Sequence, residues 1–369
     1  LTTPCAQATV RAVKTTPTLR LALATTLALS AGCSSGGADG AGGAGGGSSS
    51  TTSPTSGAGP SSTTGTNGTS SSGTSSTGTG STTTSSSTGT GGNTPGFGTI
   101  FTILLENHDY AEIVGSTNAP YINSLIAQYG LATDYMDSGT HPSLPNYLYL
   151  VSGDTQYIGI VDLDPTFFPF PKSADNLGHQ MTAAGIKWRS YQEHAGGNCV
   201  LAANGNYAPK HDPFLYFDDI QNGPNGLCAE TSVDYTKFAA DLASGQYKYM
   251  WITPDLVSDG HNPTGDPVAA LQASDAWLST EVPKILASQA YQQNGVLFIT
   301  WDEAEGRNGD SGDQVPMIVV SPKLKSAGYK SNTATSHASY LATVEEILGL
   351  PKLGAAANAP TLMEFFQLP

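Results

Sequence analysis

The stretch Thr99-Ile100-Phe101-Thr102-Ile103-Leu104-Leu105-Glu106-Asn107 decides the fold. Its apolar and β-branched residues run on without alternation and then meet a carboxylate. An unbroken run of that length reads as a strand buried on both faces. Strands of that kind belong to parallel sheets covered by helices. The same device recurs where Gly295-Val296-Leu297-Phe298-Ile299-Thr300 runs into Trp301-Asp302-Glu303. Further strands read at 186–191, 247–253 and 315–320, with helices at 119–129, 174–184, 267–286 and 337–348, the last closed by Gly349. Such alternation predicts an α/β three-layer sandwich with a largely parallel central sheet. Ligands of these sheets sit beyond the carboxyl ends of the strands. Glu106, Asp302 and Glu303 stand there, as does the segment Ser258-Asp259-Gly260-His261 that follows the strand at 247–253.

Working outward, residues 34–96 are Gly, Ser and Thr with Ala, a few Pro and Asn, and one charge, Asp39. Such a tract cannot bury enough surface to offset its ordering entropy, so it reads as a disordered linker. Residues 97–369 remain, enough for one well-buried catalytic domain. A repeat solenoid, a coiled coil and a disulfide-built miniprotein are excluded. Arg11, Lys14, Arg20 and Asp39 all precede residue 97, which leaves 12 basic and 29 acidic residues, a net of −17, in that domain. A body so acidic repels nucleic acid, so none is expected as a partner. Handling a phosphate would require cations.

Residues 1–33 read as an address. The basic residues Arg11, Lys14 and Arg20 precede the apolar run 21–29, too short to span a bilayer but suited to a signal peptide. The run ends in Leu29-Ser30-Ala31-Gly32-Cys33, which resembles a bacterial lipobox and implies lipidation at Cys33. The expectation is an exported cell-envelope lipoprotein, held at the membrane by its lipid on a tether of roughly 45 Å. Of the other cysteines, Cys5 falls in the leader. Cys199 and Cys228 are expected to pair in an exported domain.

Carboxylates and imidazoles at strand and helix ends, with His337 opening the penultimate helix, suggest an oxygen and nitrogen site for a divalent metal ion. Between the first strand and these groups lies Thr140-His141-Pro142-Ser143-Leu144-Pro145-Asn146-Tyr147. Two prolines force an extended turn before a helix over 146–151, with Ser143 just ahead of its N-terminus. Local chemistry leaves Ser143 open between a helix cap and a nucleophile.

Together, Glu106-Asn107, the Thr140–Tyr147 run, Ser258–His261, Asp302-Glu303 and His337 resemble the signature of the phosphoesterase family, which holds bacterial and fungal acid phosphatases and non-haemolytic phospholipases C. Lys210-His211-Asp212-Pro213-Phe214 is similar to a further segment of that family. The resemblance implies an alkaline phosphatase-like fold and a metal-dependent hydrolase of phosphate esters. It further implies Ser143 as nucleophile through a phosphoseryl intermediate, and Glu106, Asp302 and Glu303 around a metal, with Asn107 a ligand or oxygen donor. Asp259, His261 and His337 would form a second metal cluster or acid/base pair. His141, Asn146, Lys210 and His211 would face the substrate. Alternative readings are a phosphodiesterase or phospholipase C acting on lipid head groups, and a non-catalytic binding protein of the same fold. A sulfatase is disfavoured, because no Cys-x-Pro-x-Arg-like segment stands at the nucleophile.

Overall fold

The structure, a computed structural model, describes residues 96–156, 161–167, 172–261, 265–306 and 313–368. The expectations for the leader, the Gly/Ser/Thr tract and Cys33 lie outside the described residues.

In chain order the strands are β1 (Ile100–Leu105), β2 (Gly130–Ala132), β3 (Tyr135–Met136), β4 (Trp188–Gln192), β5 (Ser232–Asp234), β6 (Tyr249–Thr253), β7 (Val296–Trp301), β8 (Met317–Val320), β9 (Lys330–Ser331) and β10 (Thr335–Ser336). One sheet holds eight of them in the order β5-β4-β6-β1-β7-β8-β2-β9, while β3 and β10 pair separately. From β5 to β7 every pairing is parallel; β8 then runs antiparallel to both of its neighbours. Strand β1 lies between β6 and β7, and all six of its residues are buried, as its unbroken apolar run requires. Its register sets Leu105 beside Trp301, so Glu106 and Asp302 leave the sheet side by side.

Helices cover both faces. Pro120–Gln128 packs on Pro267–Ala287, and Ser143–Ser152 packs on His337–Leu348. The Asp275 carboxylate joins the first pair, accepting from the N–H groups of Tyr121 (3.2 Å) and Ile122 (2.8 Å) at the start of the partner helix. Asp266 caps the long helix and Pro267 opens it. Gly349, at φ 69°, ends the last helix as the sequence predicts.

One boundary near the chemistry differs from expectation. The helix begins at Ser143, with Pro142 extended as its N-cap, and not at Asn146. Pro145 fits inside the first turn because the missing N–H there would have no helical partner. Cys199 and Cys228 form a disulfide with their Cα atoms 5.3 Å apart. Among the described residues, no helix is long and apolar enough to cross a membrane.

Candidate active site

The central strands deliver the acidic groups. Glu106 follows β1 and Asp302 follows β7, and the backbone N–H of Asn107 donates to Asp302 Oδ1 at 3.1 Å. The loop after β6 closes onto the same place, the N–H of Glu106 bonding the carbonyl of Asp259 at 2.8 Å. Gly260 makes that approach possible. Its φ is +102°, and a Cβ there would stand 2.8 Å from the carbonyl oxygen of Glu106.

Ser143 is the first residue of its helix and is buried. Its hydroxyl makes no cap. Instead Oγ donates towards Glu106 Oε2 at 3.1 Å and Glu303 Oε1 at 3.4 Å. One turn on, on the same helix face, Tyr147 donates its phenol to Glu106 Oε1 at 2.5 Å. The Tyr147 ring stacks on His211, centroids 5.0 Å apart and planes 5° from parallel. His211 lies 3.3 Å from Glu106 and 3.4 Å from Asp259, neither contact aligned as a hydrogen bond. Glu106, His211 and Asp259 each present a ligand atom, all within 4.8 Å of one another.

Charge is the defining feature. Glu106, Asp259 and Asp302 are fully buried and Glu303 is nearly so. Burial pushes Glu106 well above the usual carboxylate range, with Asp259 adding to the effect; burial and then Glu106 do the same to Asp302. Asp259 is raised by burial, with Asp302 adding. Glu303 is pushed up to about 10 by burial and by Asp302 beside it. Burial lowers His211 and His261, and the nearby Lys210 ammonium lowers both further. Burial opposes the charge on Lys210, but Glu106 and Asp162 hold its pKa above the usual lysine value. Among the described residues, Asp302 Oδ2, Asp259 Oδ2, His211 Nε2 and His261 Nδ1 have no hydrogen-bond partner. Buried acceptors left in that state are costly. Carboxylate oxygens with an imidazole nitrogen are donors suited to a divalent cation, so this site fits one.

Of the first expected set, Glu106 and Glu303 flank the Ser143 hydroxyl and Asp302 stands beside Glu106 at the strand ends, while the ligand atoms that converge with Glu106 belong to His211 and Asp259. The second is regrouped. Asp259 and His261 are adjacent, the N–H of His261 donating to Asp259 Oδ1 at 2.7 Å, and His261 is only partly buried. His337 does not join them. Its Nδ1 meets the Tyr135 hydroxyl at 2.9 Å and its Nε2 the carbonyl of Asp302 at 2.7 Å, so both ring nitrogens are already committed. Its place is behind Asp302, holding the backbone.

Asn146 is also corrected. Its amide donates to the carbonyl of Thr140 (2.7 Å) and to Glu303 Oε2 (3.2 Å) and accepts from Ser138, a fully buried brace rather than a substrate contact. His211, expected to face substrate, sits beneath Tyr147 between two carboxylates. His141 is exposed and reaches Glu303 Oε2 at 2.7 Å with Nδ1. The side-chain amide of Asn107 donates to Glu305 at 3.1 Å. Lys210 pairs with Asp162. Tyr147 and Asp162 escaped sequence reasoning. Tyr147 carried a signal, its i+4 spacing from Ser143; Asp162 carried none. A groove of about 740 Å³ opens at the other ends of the strands, by Gly98, Lys248 and Gln293, away from these carboxylates.

A family profile described as the phosphoesterase family matches residues 114–351. A phosphatidylinositol-3-phosphatase of Mycobacterium tuberculosis is 32% identical over 276 residues, covering 74% of this chain and 84% of the relative. A probable acid phosphatase of Kluyveromyces lactis is 29% identical over 280 residues, covering 73% of this chain and 62% of its own length. Among solved structures, a lipoteichoic acid synthase of Listeria monocytogenes superposes with TM-score 0.51 at 10% identity, over 71% of this chain and 76% of that one. That last likeness concerns the fold alone.

Proposed function

This chain belongs to the phosphoesterase family and hydrolyses phosphoric ester bonds, and we propose that it does so as an acid phosphatase-like, metal-dependent enzyme with Ser143 as nucleophile. The observation that carries this reading is the Ser143 hydroxyl, which caps nothing and is aimed at Glu106 and Glu303. A serine needs an activating group to attack phosphorus at neutral pH. Glu106, Asp302 and Glu303 would hold the cation, with His211 and Asp259 behind Glu106. When bound, the ion neutralises charge on the serine oxygen and on the phosphoryl oxygens.

The chain's own groups supply the rest. Glu106 Oε2, at 3.1 Å, accepts from the Ser143 hydroxyl and orients it, and the serine proton leaves to solvent water as the oxygen attacks. Ser143 Oγ forms a bond to phosphorus as the ester oxygen departs in line, giving phosphoserine and a free alcohol. His261, partly buried beside Asp259, is assigned to the leaving-group side, its ring N–H donating a hydrogen bond to the departing oxygen while water supplies the proton. Lys210 pairs with the charge on the phosphoryl group. Water then cleaves the phosphoserine, releasing phosphate and restoring the serine. Tyr147 fixes Glu106, and His337 fixes the backbone of Asp302.

The mycobacterial relative is named for a lipid head-group monoester, so a phosphoinositide joins p-nitrophenyl phosphate and its bis-ester as test substrates. We place the enzyme at the cell envelope through lipidated Cys33, on the reading of residues 1–33. Acid quenching during turnover, followed by peptide mass analysis, tests the chemistry. Phosphate on the Ser143 peptide supports the reading; turnover with that peptide unmodified under rapid quench contradicts it.

A further inference from the structure

Lys210 has a partner within the chain itself. One carboxylate oxygen of Asp162 pairs with Lys210 Nζ, and the other, Oδ1, accepts from the backbone N–H of Leu144 at 3.2 Å. Leu144 is the second residue of the helix that Ser143 opens. An ammonium and a first-turn helix N–H beside a nucleophile are the donors that bind a phosphoryl group. We infer that Asp162 occupies the phosphoryl position, as a built-in anionic competitor that substrate and product phosphate must each displace. The inference rests on the Ser143 reading above.

The exposure of the pair places this carboxylate at the open side of the site. The Asp162 side chain is 24% exposed and that of Lys210 is 17% exposed, so one anion can replace another without opening the buried carboxylate cluster beneath. Displacement costs the same whichever anion arrives. Removing the charge therefore strengthens binding of ester and of inorganic phosphate by one common factor. A carboxylate that merely oriented Lys210 for catalysis would act the other way, its loss weakening both.

The test compares the parent with Asp162→Asn, Lys210→Met and the double variant, using the full chain with its metal. KM for p-nitrophenyl phosphate and the inhibition constant of inorganic phosphate are read by kinetics, and phosphate affinity by calorimetry. Asp162→Asn should lower KM and the phosphate constant together by about tenfold, the scale of one charge-assisted contact. The gain should shrink in the Lys210→Met background, where the competitor has lost its main partner. Asp162→Ala serves if the asparagine variant does not fold. An unchanged or weakened phosphate affinity in a folded Asp162 variant overturns the inference. A parent that binds phosphate by calorimetry but cleaves no ester would instead defeat the Ser143 reading, and the calorimetric comparison would still decide the role of Asp162.

Discussion

Glu345→Gln should make the protein more stable at pH 7.5 and confer no gain at pH 5. Glu345 lies on the last helix, fully buried and remote in sequence from the catalytic carboxylates. Its Oε1 accepts from the N–H of Leu353 at 2.8 Å, while Oε2 has no hydrogen-bond partner among the described residues. Burial pushes its pKa from 4.5 up to about 8, against the opposing pull of that N–H and the Lys352 ammonium; Asp175 adds slightly. An acid raised on folding holds a proton that the unfolded chain releases, so stability is complete below about pH 4.5 and falls as pH rises towards 8. At 1.36 kcal/mol per unit, the penalty at pH 7.5 is about 4 kcal/mol. Glutamine keeps the acceptor for Leu353 but brings an amide NH2 to the place of Oε2, at a cost of about 1–3 kcal/mol. The net gain at pH 7.5 is then about 1–3 kcal/mol, or roughly 2–6 °C in Tm for a domain of this size. Thermal melts of parent and variant from pH 5 to 8 supply the assay. A Tm difference that stays flat across that range would refute the argument, whatever its sign.

Breaking the disulfide with Cys199→Ser and Cys228→Ser together should cost roughly 3–4 kcal/mol by the loop it closes, read from denaturant unfolding with and without reductant. Tyr147→Phe removes the phenol from Glu106 and should weaken metal affinity about tenfold by calorimetry while leaving the fold intact. Asp302→Asn should lose bound metal and activity together, since a neutral amide is a poorer ligand for a divalent ion; retained activity without metal would refute the ligand assignment. Cys33→Ser should move the protein from the membrane to the soluble fraction, and equal membrane recovery of variant and parent would end the anchor proposal.

The strand ends were legible because a doubly buried strand needs an unbroken apolar run, and in β1 and β7 that run stops at an acid. Strands β2, β3, β9 and β10, of two or three residues each, carry no period to read. The antiparallel sense of β8 is also silent in sequence, because residue pattern sets burial and not direction. At the site, Ser143 stayed undecided because its partner Glu106 is 37 residues away. His337 stands apart from Asp259 and His261 for the same reason. Its two partners, Tyr135 and the carbonyl of Asp302, are 202 and 35 residues distant and come together only in the fold. Asp162 sits in a loop without motif or period, and only its contacts with Lys210 and Leu144 mark it out.

Turnover by Ser143→Ala, measured with metal content on the same preparation, tests the central claim most directly. The account predicts a loss of at least about a thousandfold in kcat with metal still bound, because the hydroxyl carries the chemistry and the carboxylates remain. A folded, metal-loaded variant that turns over near the parental rate, with only the ~1 kcal/mol loss of stability expected of a missing cap, would contradict it.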